Sequence, residues 1–189
     1  AVAKAAMESG VATRPIQDFA AYHTQLSQRV YRSGQIMRPV FDRAKADRKR
    51  VIYAQAEEER MLWAIQGGID DGLAKPILIG RRHRIEQRIS ELGLRIRPDQ
   101  DFEIIDPQNN PHYEECWQEY HKLRGRYGVD PSKARIRVNT RATVIGALLL
   151  RLGYGDALLC GLIGGYPDHV EYVLDIIGLR EGVNTPAAV

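Results

Sequence analysis

The chain has 189 residues, of which 44% are hydrophobic and 27% are charged, so a packed core under a polar surface is expected. Its net charge of +3 is too small to indicate a nucleic-acid partner, and no apolar run is long enough to cross a membrane. No signal peptide is recognisable, so we expect a cytoplasmic protein. The start at Ala1 rather than Met indicates a piece of a longer protein, with one domain and part of a second.

The cysteines and histidines give no positive indication of a catalytic or metal site. Cys116 and Cys160 are expected to be buried free thiols in a reducing compartment, with a catalytic thiol as the less favoured alternative. His112 and His121 are nine residues apart, which matches no zinc spacing. We therefore predict no metal site in this chain.

Helical patterns precede the first strand. Residues 1–7 are rich in alanine, and a second amphipathic helix is predicted from residues at helical spacing, namely Phe19, Tyr22, His23 and Leu26. A third helix is predicted from Met37 to Lys49. We interpret residues 1–35 as the end of an upstream domain followed by a helical connector.

From Val51 onward, short apolar strands alternate with helices. The predicted strands are 51–54, 77–80, 102–105 and 157–160, with Gly72 and Gly93 ending the first two helices between them. Later helices are predicted at 111–126, at 144–152 with Asn139 or Thr140 as N-cap, and after Pro167 with a core stripe of Val170, Val173, Leu174 and Ile177. This order predicts a three-layer α/β/α fold around a mostly parallel sheet.

Three features could bind an anion. The loop Gly161-Leu162-Ile163-Gly164-Gly165 lies between a strand and a helix, where free N–H groups and the helix dipole favour phosphate or carboxylate; a simple tight turn is the alternative. Lys133, Arg135 and Arg137 form a basic cluster that would suit a polyphosphate or merely face solvent. Arg124 follows an aromatic helical stripe, where it could stack on an aromatic ring or hold an anion.

Several segments occur together in a distinctive order: Val51-Ile52-Tyr53-Ala54 before an acidic helix start, Lys75 to Gly80, Tyr120 to Arg124, Ile145 to Gly161, Asp168, and Ile176-Ile177-Gly178. With these segments, the region from Val51 to Val183 resembles the amino-terminal portion of phosphate acetyltransferases. Residues 1–16 resemble the end of a bacterial malic enzyme catalytic domain, joined near Tyr31 to a fused phosphate acetyltransferase-like domain of an NADP-dependent malic enzyme. The resemblance implies the fold shared by phosphate acetyltransferase and isocitrate dehydrogenase, with residues 36–189 as an incomplete portion of that domain.

The chain departs from the family pattern at two places. Active acetyltransferases have small hydroxyl residues where this chain has Gly164-Gly165-Tyr166-Pro167, and an arginine where it has Glu171. Near a protein surface, each unit of charge at about 4 Å is worth about 4 kcal/mol, so Glu171 opposes a polyanionic substrate. The family's remaining catalytic residues are expected beyond Val189.

The resemblance implies a regulatory, non-catalytic domain that binds acetyl-CoA and controls an attached malic enzyme, which converts malate to pyruvate with NADP and Mg or Mn. No cofactor is expected in this segment, and the parent is expected to be a homo-oligomer. The implied acetyl-CoA ligands are Arg124, Arg135, Arg137, Gly164, Gly165 and Asp168. An active phosphate acetyltransferase and a purely structural oligomerisation domain are the alternatives.

Overall fold

The computed structural model describes residues 2–12, 16–19, 22 and 32–186. These residues divide into two compact units, one ending at Arg43 and the other beginning at Ala44. The first unit contains helix α1 (Val2–Glu8), which confirms the alanine-rich helix. The helix predicted between Phe19 and Leu26 lies largely outside the described residues, and the domain boundary at 35/36 stays a prediction.

Helix α2 (Arg32–Ala46) begins before the predicted start at Met37 and ends before Lys49. Lys49 instead opens strand β1, so assigning it to the helix was wrong. The physical reason is that Lys49 pairs with Ala74 of the neighbouring strand, which extends the sheet by two residues at its amino edge.

The second unit is built on four parallel strands, β1 (Lys49–Tyr53), β2 (Ala74–Ile79), β3 (Glu103–Ile105) and β4 (Ala157–Leu159), in the order β3-β2-β1-β4. Every pairing is parallel, with Ile52 opposite Ile77 and Leu158. The apolar ends of β1, β2 and β3 are buried, as expected for parallel strands covered on both faces, whereas the edge strand β4 is only partly buried and its Leu159 is 50% exposed.

Alternate strand residues face two separate hydrophobic cores. Ile52, Ile77, Ile79 and Ile105 pack beneath four helices, α5 (Tyr113–Arg124), α6 (Pro131–Thr140), α7 (Ala142–Arg151) and α8 (Tyr166–Ile176). On the opposite face, Tyr53, Leu78 and Ile104 pack against α3 (Glu59–Asp70) and α4 (Arg82–Glu91). The period-two alternation of a strand thus produces the predicted three-layer α/β/α fold.

The glycine signals for helix termination are confirmed. Gly72 and Gly93 follow α3 and α4 with φ of +66° and +63°, a backbone conformation that other L-residues rarely adopt. The helix predicted at 111–126 is α5, which continues as a single 3₁₀ turn at Gly125–Tyr127. None of the described helices is both long and apolar enough to cross a membrane.

The predicted N-cap of α7 was wrong. Asn139 and Thr140 belong to the end of α6, and Thr140 Oγ1 donates to the carbonyl of Ile136 at 2.8 Å rather than capping the next helix. Arg141 joins the two helices, since its N–H donates to Arg137 and its carbonyl accepts from Ile145, each at 3.0 Å. A single residue therefore turns the chain from α6 into α7.

The core stripe predicted for α8 was also wrong. Ile177 is 41% exposed and Val170, Val173 and Leu174 are only partly buried, whereas Ile176 is fully buried. Two hydrogen bonds set the rotation of α8: Thr143 bonds to His169, and Arg151 donates to the carbonyl of Ile176. These bonds turn the face carrying His169 and Ile176 toward α7, and the predicted apolar stripe lies beside it.

Candidate functional site

The carboxyl ends of the parallel strands form the candidate site. Two cavities of about 360 and 420 Å³ lie there. They adjoin, because both are lined by Gln55, Thr140, Ala142 and Ile163. This edge is where open parallel sheets bind ligands, since helix N-termini and loops converge there.

Gln55, the second residue after β1, holds the glycine loop. Its Oε1 accepts hydrogen bonds from the N–H groups of Gly161 at 3.1 Å and Leu162 at 2.8 Å. Its Nε2 donates to the carbonyl of Ile163 at 3.1 Å. One side chain thus connects the loop after β4 to the end of β1.

His169, in the first turn of α8, holds the same loop from the other side. Its Nε2 lies 2.7 Å from the carbonyl oxygen of Ile163, which can only accept, so this nitrogen carries the proton. In the neutral ring, Nδ1 then accepts from the Thr143 hydroxyl at 2.8 Å. The loop is therefore linked to α7 through His169 and Thr143.

Arg141 is the cation of the larger cavity. It lines that cavity together with Thr143, Gly164, Asp168 and His169. Among the described residues, its exposed guanidinium has no hydrogen-bonding or ion-pair partner. Because it stands at the start of α7, where N–H groups lack side-chain caps, the cavity offers a positive region beside the Asp168 carboxylate.

The smaller cavity is bordered by a charged pair that is already satisfied. Arg81, after β2, hydrogen-bonds Glu57 through its backbone N–H, Nε and Nη2 at 2.8–3.0 Å. Hydrogen bonding from this guanidinium lowers the pKa of Glu57 below its ordinary value, although partial burial opposes the shift. The pair therefore offers little free charge to a ligand.

The structure places the six predicted ligand residues in two groups. Gly164, Gly165 and Asp168 lie together at the start of α8, and Gly164 and Asp168 line the larger cavity. Arg124, Arg135 and Arg137 belong to α5 and α6, and none of them lines either cavity of the carboxyl edge.

Arg124 forms an internal ion pair. Its Nη1 lies 3.1 Å from Asp175 Oδ1, with the two side chains 25% and 13% exposed, and its guanidinium stacks 4.4 Å from the Tyr127 ring centroid. Burial raises the pKa of Asp175, although Arg124 and Arg137 act in the opposite direction. Arg124 therefore contacts an internal carboxylate and an aromatic ring together, as the aromatic stripe allowed.

The other two arginines also have aromatic partners. Arg135 lies 4.2 Å from the Trp117 ring centroid, and Arg137 Nη1 donates to the Tyr120 hydroxyl at 2.7 Å. The hydrogen bond to Tyr120 raises the pKa of Arg137, and Tyr172 and Asp175 contribute more weakly. Tyr172 lines the larger cavity of the carboxyl edge.

The two cysteines have different surroundings, and both are free. Cys116 is fully buried, and burial raises the pKa of its thiol to about 12. Cys160 is only partly buried; burial raises its pKa, and the neighbouring Thr143 hydroxyl opposes the shift. The expectation of a buried thiol is thus confirmed for Cys116 and is too strong for Cys160.

Across the described ranges, no group of three or more His, Cys, Asp or Glu side chains could hold a metal ion.

Sequence reasoning missed Gln55, Arg141, Thr143 and His169. Gln55 directly follows the predicted strand 51–54, which is a usable signal for a residue at this edge. The other three gave no signal of their own, because their position depends on the rotation of α8 and on the helix junction at Arg141.

The comparisons with known proteins identify the family of the chain and agree with its fold. The family model described as phosphate acetyl/butaryl transferase matches residues 35–189, which is most of the chain. The chain belongs to this family. The fold agrees, since a phosphotransacetylase (EutD) structure from Staphylococcus aureus superposes with a TM-score of 0.71 at 22% identity, covering 80% of this chain and 44% of that one.

Relatives of known name are longer proteins. The chain is 53% identical over 188 residues to an NADP-dependent malic enzyme of Haemophilus influenzae, covering 100% of this chain and 25% of that protein. It is 55% identical over 184 residues to an NAD-dependent malic enzyme of Rhizobium meliloti, covering 97% of this chain and 24% of that protein. The chain thus spans about a quarter of these relatives, which confirms the resemblance to a phosphate acetyltransferase-like portion of malic enzymes.

Proposed function

We propose that this chain is a regulatory, non-catalytic domain that binds acetyl-CoA and controls an attached malic enzyme. The parent would oxidise and decarboxylate malate to pyruvate with NADP and Mg or Mn, as a homo-oligomer in the cytoplasm. One observation carries the proposal: a chain of the acetyltransferase family aligns over its whole length with a quarter of an NADP-dependent malic enzyme. Binding of an acyl-CoA regulates an oxidoreductase when two conformational states of the protein bind it with different affinities.

Two features support a non-catalytic role. Glu171, which replaces the family arginine, is exposed on α8 and lines a cavity of about 390 Å³ together with Tyr166 and Asp175. Its negative charge opposes a reacting phosphate that the arginine would attract, and it also lowers the affinity expected for the phosphates of acetyl-CoA. The first N–H groups of the glycine loop are also occupied by Gln55, so they are not free to stabilise a reacting phosphate.

The proposed acetyl-CoA site combines the two groups of predicted residues. Gly164, Gly165 and Asp168 would contact the ligand at the carboxyl edge, where Arg141 adds a cation that has no partner among the residues described. The arginines at 124, 135 and 137 would meet its phosphates after exchanging part of their internal contacts, which predicts modest affinity.

The test is calorimetric titration of acetyl-CoA into the parent protein, with malate oxidation assayed in parallel using NADP and NAD. Arg141→Ala and Arg124→Ala are expected to weaken binding by about tenfold each, the loss of one charge-assisted contact. Arg126→Ala is the matched control, because Arg126 is exposed on the same segment as Arg124. Absence of acetyl-CoA binding by the intact parent would reject the proposal and favour a structural oligomerisation domain.

An active phosphate acetyltransferase is the second candidate, favoured by family membership. It predicts formation of acetyl phosphate from acetyl-CoA and inorganic phosphate by the parent protein. The regulatory proposal predicts none, together with a change in malate oxidation when acetyl-CoA is added. The two assays on one preparation therefore separate the candidates.

A further inference from the structure

The glycine loop presents two consecutive backbone N–H groups to a single acceptor. Gly161 N and Leu162 N both donate to Gln55 Oε1, at 3.1 and 2.8 Å. Gly161 has φ of +95°, which allows neighbouring amides to point the same way. Successive amides that converge on one oxygen form the concavity in which backbone N–H groups bind anions.

Both the oxygen and the nitrogen of the Gln55 carboxamide are hydrogen-bonded to the glycine loop. While its oxygen accepts from the two amides, its Nε2 donates to the carbonyl of Ile163 at 3.1 Å. That carbonyl also accepts from His169 at 2.7 Å, so the oxygen already has two donors. The dianion of inorganic phosphate has a single O–H donor and would bring two negative charges toward this carbonyl oxygen.

The Gln55 side chain also has an entropic advantage over a free anion in binding the two loop amides. Gln55 is tethered to the end of β1, so its effective concentration at the loop far exceeds that of a free anion at millimolar concentration. A free anion would have to displace a bound carboxamide and leave its Nε2 unpaired.

We infer that Gln55 is a specificity-determining residue of the carboxyl edge: it occupies the anion position of the glycine loop and excludes inorganic phosphate and similar small anions. A larger ligand held at Arg141 and the start of α8 does not need these two amides. The inference therefore stands or falls independently of acetyl-CoA binding.

The experiment titrates inorganic phosphate into the full chain by calorimetry, comparing wild type with Gln55→Ala, Gln55→Glu and Gln108→Ala. Gln108 is the matched control, because it lines the smaller cavity and its side chain has no hydrogen bond among the described residues. Gln55→Ala is expected to bind phosphate at least about tenfold more tightly than wild type, because it uncovers both amides. Gln55→Glu, which keeps the acceptor and adds a negative charge, and Gln108→Ala are expected to bind phosphate no more tightly than wild type.

Phosphate binding to wild type as tight as to Gln55→Ala would overturn the inference, and so would the absence of any gain in Gln55→Ala. Amide hydrogen exchange in folded wild type provides a second measurement that does not depend on the folding of the variant. The N–H groups of Gly161 and Leu162 should be protected, and in Gln55→Ala they should exchange at least about tenfold faster. Fast exchange of both amides in folded wild type would show that Gln55 does not occupy them.

Discussion

Arg124 and Asp175 form a half-buried ion pair, 3.1 Å long, that connects the end of α5 to the end of α8. The Arg124 guanidinium also stacks on Tyr127, and within the described part of the chain its buried Nε has no hydrogen-bond partner. Arg124, which is proposed to bind acetyl-CoA, thus already forms an ion pair with an internal carboxylate. The effect of an Arg124 substitution on stability must therefore be separated from its effect on binding.

Replacing Arg124 with alanine is expected to lower the free energy of unfolding by about 1–3 kcal/mol, because Asp175 loses its partner in a site of limited solvent access. Urea unfolding measures this change. The double variant Arg124→Ala/Asp175→Asn should recover part of the loss, since the unpaired charge is removed as well. Arg126→Ala should leave stability within about 0.5 kcal/mol of wild type. Equal losses in the single and double variants would contradict a stabilising pair.

The sequence was sufficient to predict the sheet and most helices, because buried parallel strands and amphipathic helices leave regular patterns. Ile52 and Leu78 were identifiable from short β-branched runs, and Gly72 from its position after an apolar helical stripe. The rotation of α8 was not predictable, because it depends on the hydrogen bonds that join His169 and Ile176 to α7. Strand β4 separates these two helices in the sequence.

The candidate site was predictable only where local sequence determines it. Gly164 and Asp168 follow from the strand, glycine loop and helix order, which places them at the carboxyl edge. The contribution of Gln55 depends on contacts with residues more than 100 positions away in the sequence. The contribution of Arg141 depends on the junction between α6 and α7, which the predicted N-cap placed one or two residues too early. Long-range pairing of this kind leaves no periodic signal.

Stability should decrease in acid through Asp156. Hydrogen bonds from the Arg50 guanidinium and backbone N–H lower the pKa of Asp156 from 3.8 to about 2. A carboxyl group whose pKa is lower in the folded state stabilises the fold above its unfolded pKa and loses that contribution as pH falls through its folded pKa. The free energy of unfolding should therefore decrease between pH 4 and about 2. Asp156→Asn should be less stable at neutral pH and show a shallower dependence across this range. Parallel curves for variant and wild type would be inconsistent with this role.

Gly155 is required by a close approach to β1. A Cβ at this position would lie 2.5 Å from Ile52 Cδ1 and 2.7 Å from Ile52 Cγ1, and Ile52 is fully buried in the core. Gly155→Ala should therefore cost about 1–3 kcal/mol of unfolding free energy from overpacking. Gly67→Ala is the control, because its Cβ would meet nothing within 4 Å inside helix α3. That control should be neutral or stabilising by up to about 1 kcal/mol, as measured by thermal or urea unfolding. Equal stability of the two variants would exclude the close contact as the cause.

The Ile163 carbonyl fixes the tautomer of His169, and the Thr143 hydroxyl donates to the ring nitrogen that carries no proton. His169 Nε2 faces the carbonyl of Ile163 at 2.7 Å, so the neutral ring must carry its proton there and accept from Thr143 at Nδ1. Nitrogen-15 NMR of the wild-type ring should report a single Nε2–H tautomer at a pH where the imidazole is neutral. Thr143→Val removes the only described donor to Nδ1 and keeps the shape, so it should cost about 0.5–1.5 kcal/mol of unfolding free energy.

Thr143→Ser separates the hydroxyl from the methyl group in the same experiment. It retains the donor and should preserve the Nε2–H tautomer, while losing only the packing of one methyl group, worth about 1 kcal/mol. Because His169 and Gln55 both bond to Ile163, Thr143→Val should also speed amide exchange in the glycine loop, and Thr143→Ser should not. A wild-type Nδ1–H tautomer, or loop exchange that is unchanged in Thr143→Val, would show that the link from α7 through His169 does not hold the loop.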